Sequence, residues 1–429
     1  MKIIKYSPKV LSHRLWVRKF GGSLTFFLIF ALLSTVVPVK GEEISLEEAL
    51  ELFYRNNYDI LIHRYEIDKA YGDYVGARLL PNPSISLSSI GLELSQGVPQ
   101  KSDDTQQYLQ LDQLILLGGK RELRTNFAQA AHQAAILTHK DVIRTLIIGF
   151  YSVYYNLQLD RLNIEFGRYD LSRFDKIQEI AQRRFDAGFL SLIDYTKIKL
   201  ARIDLENNLT IFDKQFRADL ESFNFLLGSG NWLEPGKLIM QETFPEYSEN
   251  MLVEVALQNR YDLLSLQKQS EAAKYSISLA KAMRIPDITV GGQYSLYGSD
   301  NRSRVGAGVS LPIPVFHRNQ GEIFRRDAEY KQVEEQIKKV KRLIVSDIRQ
   351  ALNTYRASLK IFDAYRLRKR EMDDLLNRSE AAFSLGGITV LDLLDTRKTY
   401  RDFITKYNLA LIQALLNQEL IKVYTGELR

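Results

Sequence analysis

Two periodicities alternate along this chain. In "ITVGGQYSL", Ile288, Val290, Tyr294 and Leu296 share one side of a period-two alternation, with Thr289, Gln293 and Ser295 on the other. "VGAGVSL" continues it, with Val305, Ala307, Val309 and Leu311 set against Gly306, Gly308 and Ser310. Strict alternation predicts strands, and the turn-rich "YGSDNRSR" between them predicts a hairpin over about 286–315. A noisier equivalent spans about 83–116. There Ile85 and Leu87 are followed by a slip to Ile90, Leu92 and Leu94, which predicts a bulge. A ten-residue polar loop, "SQGVPQKSDD", then leads to Leu109 and Leu111 alternating with Gln110 and Asp112.

After each hairpin the period changes to that of a helix. Glu322 to Leu385 contains neither Gly nor Pro, and its apolar positions are Val333, Ile337, Val340, Ile344, Ile348, Ala351, Tyr355, Leu359 and Phe362. The steps of 4, 3, 4, 4, 3, 4, 4 and 3 give an eleven-residue repeat, close to 3.67 residues per turn, so the seam should be nearly straight or slightly right-handed. As one helix these 64 residues would extend ~96 Å at 1.5 Å per residue. The first-half counterpart, Lys120 to Ala187, has only Gly149 and Gly167 as breakers.

The order helix, hairpin, very long helix, break, helix therefore occurs twice. The first unit opens with "EEALELFYRNNYDILI" and the second with "VEVALQNRYDLLSL", aligning Tyr58-Asp59 with Tyr261-Asp262. Near their ends, "FDAGFLSLID" and "FSLGGITVLD" match at an offset of 198 residues. That offset pairs Gly188 with Gly386, Ser191 with Thr389, Asp194 with Asp392 and Gly228 with Gly426. A period this long indicates duplication of a large unit, not a solenoid. The organisation read from these signals is 1–41 targeting segment, 42–230 first repeat, 231–249 linker and 250–429 second repeat.

The matched phrase has a local physical meaning. Gly188 and Gly386 can take the left-handed conformation that ends a helix. Ser191 and Thr389 are N-caps for the next helix, and Asp194 and Asp392 stand three residues on, as in a capping box. Each phrase predicts a helix-to-helix turn.

Composition changes the picture in three places. The first 41 residues carry seven Lys and Arg, no acids and an apolar run from Leu24 to about Val37, which reads as an export signal with cleavage near Glu42; an uncleaved anchor is the other reading. The whole chain is +6, so without that segment it is 6 − 7 = −1, and the basic pI gives no support for nucleic-acid binding. Cysteine is absent, which excludes disulfides, thiolate sites and Cys lipidation. The most apolar later stretch, Thr145 to Leu159, has only 15 residues, too few for a spanning helix. If the exported chain spans a membrane, it does so with strands. Four strands cannot close a barrel, since such barrels begin at about eight, so a spanning chain must oligomerise. Soluble hairpins capping a helical rod are the alternative.

Taken together, "ISLEEALELFYRNNYDI", "LILLGGKRELR", "RRFDAGFLSLIDYTKIKLA", "LPIPVFHRNQGEI" and "FSLGGITVLDLLDTRKTY" resemble the TolC family of outer-membrane efflux channels over essentially all of the processed chain. The resemblance implies a mainly α fold with membrane β: a long α-helical barrel plus an outer-membrane β-barrel, four strands per chain, two internal repeats, and a homotrimer. It implies an exit duct in outer-membrane lipid, with a periplasmic membrane-fusion adaptor and an inner-membrane resistance-nodulation-division pump as partners. It also implies that Gly188, Phe189, Ser191, Gly386, Gly387 and Thr389 form periplasmic tips where the adaptor docks. By the same resemblance Asp392 and Asp395 are the acids of the channel constriction, where a threefold carboxylate ring would favour cations. On local grounds Asp392 caps its helix, and Asp395, nearly a turn further on, is the lumen-facing candidate.

"PVFHRNQG" resembles the branch serving heavy-metal pumps, although Asn319 and Gly321 also suit a plain turn. The five histidines include no i, i+4 pair, and His132 and His139 lie seven residues apart on one face, too far to chelate one ion unaided. No phosphate loop, G-x-S-x-G or H-E-x-x-H is present, so neither an enzyme nor a cofactor is expected. A type I secretion component and a channel-free periplasmic coiled-coil scaffold stay open as alternatives, and cargo could be metal cations, small organics or polypeptide.

Overall fold

The computed structural model describes residues 42–95, 98–230, 232–238, 243–297 and 302–427. The targeting segment expected over 1–41 lies outside them. Strand β1 (Glu42–Ile44) leads into helices α1 (Leu46–Asn56) and α2 (Tyr58–Arg78), strands β2 (Ser84–Ser95) and β3 (Val98–Ile115), and helices α3 (Lys120–Asp186) and α4 (Leu192–Leu227). After β4 (Leu233–Pro235) the order recurs as α5 (Glu249–Asn259), α6 (Tyr261–Ala282), β5 (Ile288–Tyr297), β6 (Ser303–Ser310), α7 (Gln320–Ser384) and α8 (Val390–Tyr424). The expected linker thus contains a strand, and β4 pairs in parallel with β1.

Helix α3 has 67 residues and runs through Gly149 and Gly167 without interruption, about 100 Å at 1.5 Å per residue. The packing of its apolar face outweighs the ~1 kcal/mol that each glycine costs. Helix α7, with 65 residues, buries or half-buries all nine positions of the predicted seam. The apolar stretch Thr145–Leu159 lies inside α3, where Ile147, Phe150, Tyr151, Tyr154, Tyr155 and Leu157 join the largest core cluster with residues of α1, α4 and α8. Among the described residues no helix is long and apolar enough to cross a membrane.

The single opening helix expected in each repeat is two helices. Asn57 and Arg260, both extended (ψ 125° and 124°), interrupt the chain. Asn57 accepts hydrogen bonds from the backbone N–H groups of Asp59 and Ile60 and donates to the Leu226 carbonyl at 2.9 Å. Arg260 cannot accept such a bond. Its guanidinium pairs instead with Asp262 at 2.6 Å and Asp347 at 2.8 Å. Gly228 and Gly426 end the two repeats against these interruptions. A Cβ on Gly228 (φ +56°) would lie 2.4 Å from the Asn56 carbonyl oxygen, and one on Gly426 (φ +91°) 2.9 Å from the Asn259 backbone.

The hairpins join in one antiparallel sheet of order β2-β3-β5-β6. The expected polar loop Ser95–Asp104 is instead largely strand, with Ser95 opposite Val98 and Leu92 opposite Lys101. Backbone pairing carries this stretch. The bulge is present, displaced to Gly91: the register jumps between Ile90 and Leu92, Gly91 takes φ +84°, and Thr105 Oγ1 donates to its carbonyl at 3.1 Å. The register aligns Leu87, Leu109, Tyr294 and Val305 across all four strands, and all four side chains are exposed. The opposite face aligns Ser86, Gln110, Gln293 and Gly306. One face is apolar and the other polar, and β2 and β6 are unpaired edges.

The joints between sheet and helices account for two quoted motifs. In "LLGGK", Gly118 and Gly119 take φ +69° and +68°, and a Cβ on Gly118 would meet Ile285 at 2.9 Å. The buried Lys120 ammonium then reaches Asp287 at 2.7 Å. In "RNQG", Asn319 is left-handed (φ +60°) at the start of α7 and donates to the Ala280 carbonyl at 2.8 Å.

Candidate functional site: the paired helix tips

The turns α3–α4 and α7–α8 are the two copies of the matched phrase. Gly188 (φ +75°) and Gly386 (φ +83°) both end their helices in the left-handed conformation. The Gly188 and Phe189 N–H groups donate to Phe185 and Arg184 carbonyls at 3.0 and 2.8 Å, and those of Gly386 and Gly387 to Phe383 and Ala382 at the same distances. This double hydrogen-bond pattern satisfies carbonyls that a helix end leaves open.

Each next helix is capped as the sequence indicated. Ser191 Oγ accepts from the Asp194 N–H at 3.1 Å, and Thr389 Oγ1 accepts from the Asp392 N–H at 3.2 Å. Only the second turn closes the reciprocal half of the box, the Thr389 N–H donating to Asp392 Oδ2 at 3.1 Å. In the first, Asp194 takes Ser191 Oγ at 2.9 Å and Lys197 at 3.2 Å. Hydrogen bonds from Thr389 hold the Asp392 carboxyl below the usual carboxylate range, and those from Ser191, then Lys197, do the same for Asp194. Asp392 therefore caps, while Asp395, one turn on, is exposed.

The two tips share one core of Phe174, Ile177, Ala181, Ile198, Phe383 and Leu393, among others. Arg184 crosses between them, donating to the Phe383 carbonyl at 2.7 Å with its guanidinium 5.0 Å from that ring's centre. Outside this core Phe189, Leu192, Ile193, Leu385 and Leu391 are between 64% and 87% exposed. Exposed apolar side chains gathered at helix ends suit contact with another protein.

Above the tips lies an ionic cluster that reading the sequence did not find. Arg397 of α8, 1% exposed, donates to Asp170 Oδ1 of α3 at 2.5 Å and to the Asp170 carbonyl at 3.1 Å. It also bonds Glu380 of α7 and covers the Phe174 ring at 4.9 Å. Arg173 bonds Glu380 from the other side, and Arg401 approaches Asp170 at 3.9 Å. Burial pushes the Asp170 carboxyl up, against the opposing pull of Arg397 and Arg401. A signal was available: Val390, Leu393, Arg397, Tyr400, Ile404, Tyr407 and Leu411 step by 3 and 4, which puts Arg397 on the apolar stripe of α8.

Histidine geometry also differs from the sequence reading. His139 stacks on His63 of α2, ring centres 5.8 Å apart, while His132 packs against Tyr71. Among the described residues no three metal-ligating side chains gather into a group.

Very long paired helices joined to a four-stranded sheet are the architecture of outer-membrane channel proteins. The structure superposes on CusC, described in connection with transmembrane channel formation, with a TM-score of 0.76 at 14% identity over 90% of this chain and 92% of that one. VceC from Vibrio cholerae gives 0.73 at 16% identity over 89% and 95%. The outer membrane efflux protein family model matches residues 49–229 and again 252–426, and the chain belongs to that family. The cobalt-zinc-cadmium resistance protein CzcC of Cupriavidus metallidurans is 25% identical over 380 residues, 85% of this chain and 87% of that protein. TolC of Vibrio cholerae is 24% identical over 275 residues, 59% and 62% of the two chains.

Proposed function

We propose that the chain is the outer-membrane exit duct of a tripartite efflux system, passively conducting cargo delivered by a periplasmic adaptor and an inner-membrane resistance-nodulation-division pump. The observation that carries this is the four-stranded sheet, apolar on one face and polar on the other, with both edges unpaired. Open edges in lipid are prohibitively costly. Three copies, each giving four strands, close a barrel of twelve, within the range of ~8 to 26 for such proteins. The apolar face then meets lipid and the polar face lines the pore. The long helices continue the duct below the membrane, and Gly188, Phe189, Ser191, Gly386, Gly387 and Thr389 shape the tips on which the adaptor docks. Adaptor binding biases the tips toward a separated state.

In the same reading Asp392 serves the cap and Asp395 projects into the lumen, where three copies make a cation-favouring ring. The likeness to CzcC favours heavy-metal cations as cargo. Selection is assigned to the pump, since an exit duct need not bind its cargo.

The test is the mass of the purified protein in detergent together with single-channel conductance in planar bilayers. A trimer with cation-selective pores is expected. A monomer without conductance would favour a periplasmic scaffold. Asp395→Ala is expected to reduce the cation preference, and an unchanged preference removes Asp395 from the constriction.

A further inference from the structure

A cavity of about 840 Å³ opens between the start of α1, the middle of α3, the end of α8 and the chain following β4. Its lining on α3 (Tyr151, Tyr154 and Tyr155) and on α8 (Leu415, Glu419 and Lys422) lies well along those helices from either tip. Its size falls within the ~300–1,000 Å³ usual for small-molecule sites. The wall is aromatic: Tyr54 of α1 and Tyr151, Tyr154 and Tyr155 of α3, with Leu50 and Leu415 beside them. All but Tyr54 are buried, so the wall is held by the largest core cluster of the protein.

The charges around it are unequal. Glu43, Glu47, Glu51 and Glu419 line the cavity against Lys237 and Lys422. Lys422 is paired with Glu419 at 2.7 Å, and Glu43 stands 4.0 Å from Arg161. Glu47 and Glu51, one turn apart on α1, have no ion-pair partner among the described residues, while Lys237 lines the same cavity and Arg161 offsets the Glu47 charge at Tyr154. Burial first, then the nearby Glu419 charge and a smaller contribution from Glu47, pushes the Tyr155 hydroxyl up, and burial pushes that of Tyr54 up to about 12. An aromatic wall has a negative ring face that attracts cations, and two free carboxylates at its mouth reinforce that sign. An anion would meet both as repulsion.

We propose that this cavity binds a small amphipathic organic cation, its apolar body against the tyrosine wall and its charge toward Glu47 and Glu51.

Tetraphenylphosphonium is the probe, titrated calorimetrically into the purified full-length protein in detergent, with tetraphenylborate as the anion of matching shape. Saturable phosphonium binding is expected, with borate at least ~10-fold weaker, as the sign of the field requires. The double variant Glu47→Gln/Glu51→Gln, which keeps shape and removes charge, should weaken phosphonium binding by ~10-fold or more, one decade being ~1.4 kcal/mol. Tyr54→Leu, at the half-buried edge of the wall, should weaken it too and leave the helical circular dichroism unchanged. Absence of saturable binding, equal binding of the two ions, or an unaffected double variant overturns the proposal. Conductance is read separately: a conducting protein that fails to bind the probe sinks this inference alone, and a binding protein that fails to conduct sinks the duct alone.

Discussion

Replacing Arg397 with methionine is the sharpest probe of how the tips are held. The substitution keeps most of the stem that covers Phe174 and removes the guanidinium bonded to Asp170 and Glu380. Glu380 keeps Arg173. Among the described residues the ion pair left to Asp170 is Arg401 at 3.9 Å, with its own side chain 3% exposed and the Arg173 charge a weaker help. Leaving one member of a buried pair uncompensated costs about 3–5 kcal/mol. An independent bound comes from protonation. Starting from the ordinary carboxylate value of 3.8, neutralising Asp170 at pH 7 costs ~4 kcal/mol at 1.36 kcal/mol per unit, and beyond that the group takes a proton instead. The second figure caps the first, which leaves ~3–4 kcal/mol. Hydrogen exchange of the detergent-solubilised protein should show protection in α7 and α8 beside the tips falling by two to three orders of magnitude, at about 1.4 kcal/mol per decade. The deficit should shrink on going from 7 toward 5, with a slope rising to at most ~1.4 kcal/mol per pH unit, because protonation becomes cheaper. Adding Asp170→Asn should recover most of the loss. A deficit below ~1 kcal/mol that is flat with pH would refute the reasoning and mark the cluster as solvated.

Two further predictions concern other parts of the chain. Gly228→Ala puts a methyl group 2.4 Å from the Asn56 carbonyl oxygen at φ +56°; a loss of ~2 kcal/mol or more is expected from the clash and the left-handed backbone, and an unchanged melting temperature would contradict it. The carboxyl of Asp160 on α3 is pushed up to about 7 by burial, then by the charge and hydrogen bond of Asp219. Between pH ~4 and ~7 the native state therefore holds a proton that the unfolded chain has released, so stability falls as pH rises through that window. Asp160→Asn should raise the melting temperature more at pH 8 than at pH 5, and equal shifts at the two pH values would sink the assignment.

How far the sequence could be read depended on which forces left a periodic trace. Helix α7 was legible because its seam is written in apolar side chains, and the tips because Gly386, Thr389 and Asp392 are each chosen by backbone geometry. The apolar face of β5 and β6 was legible for the same reason. Ser95 to Asp104 was misread because its ladder bonds belong to the backbone and its residues are polar. The interruption at Asn57 carried a cap signal, but its counterpart Arg260 is not a capping residue and works through Asp262 and Asp347, which no local pattern announces. Arg397 escaped notice because a charged residue on an apolar stripe reads as an imperfection until its partners on α3 and α7 are known. The trace of the tips was local; that of the cluster above them was tertiary.

The contacts of Gly228 with Asn56 and of Gly426 with Asn259 bear on how such a chain could arise. In each half the last helix finishes against the interruption between the first two, so the entry and exit of the unit adjoin in space. A gene segment whose product begins and ends at one place can be copied in tandem and read through with a short connector, here residues 229–248, without dragging either copy out of shape. Had the ends lain at opposite poles of helices about 100 Å long, fusion would have required a connector of comparable reach. The two glycines thus mark the seam at which one ancestral unit could become two.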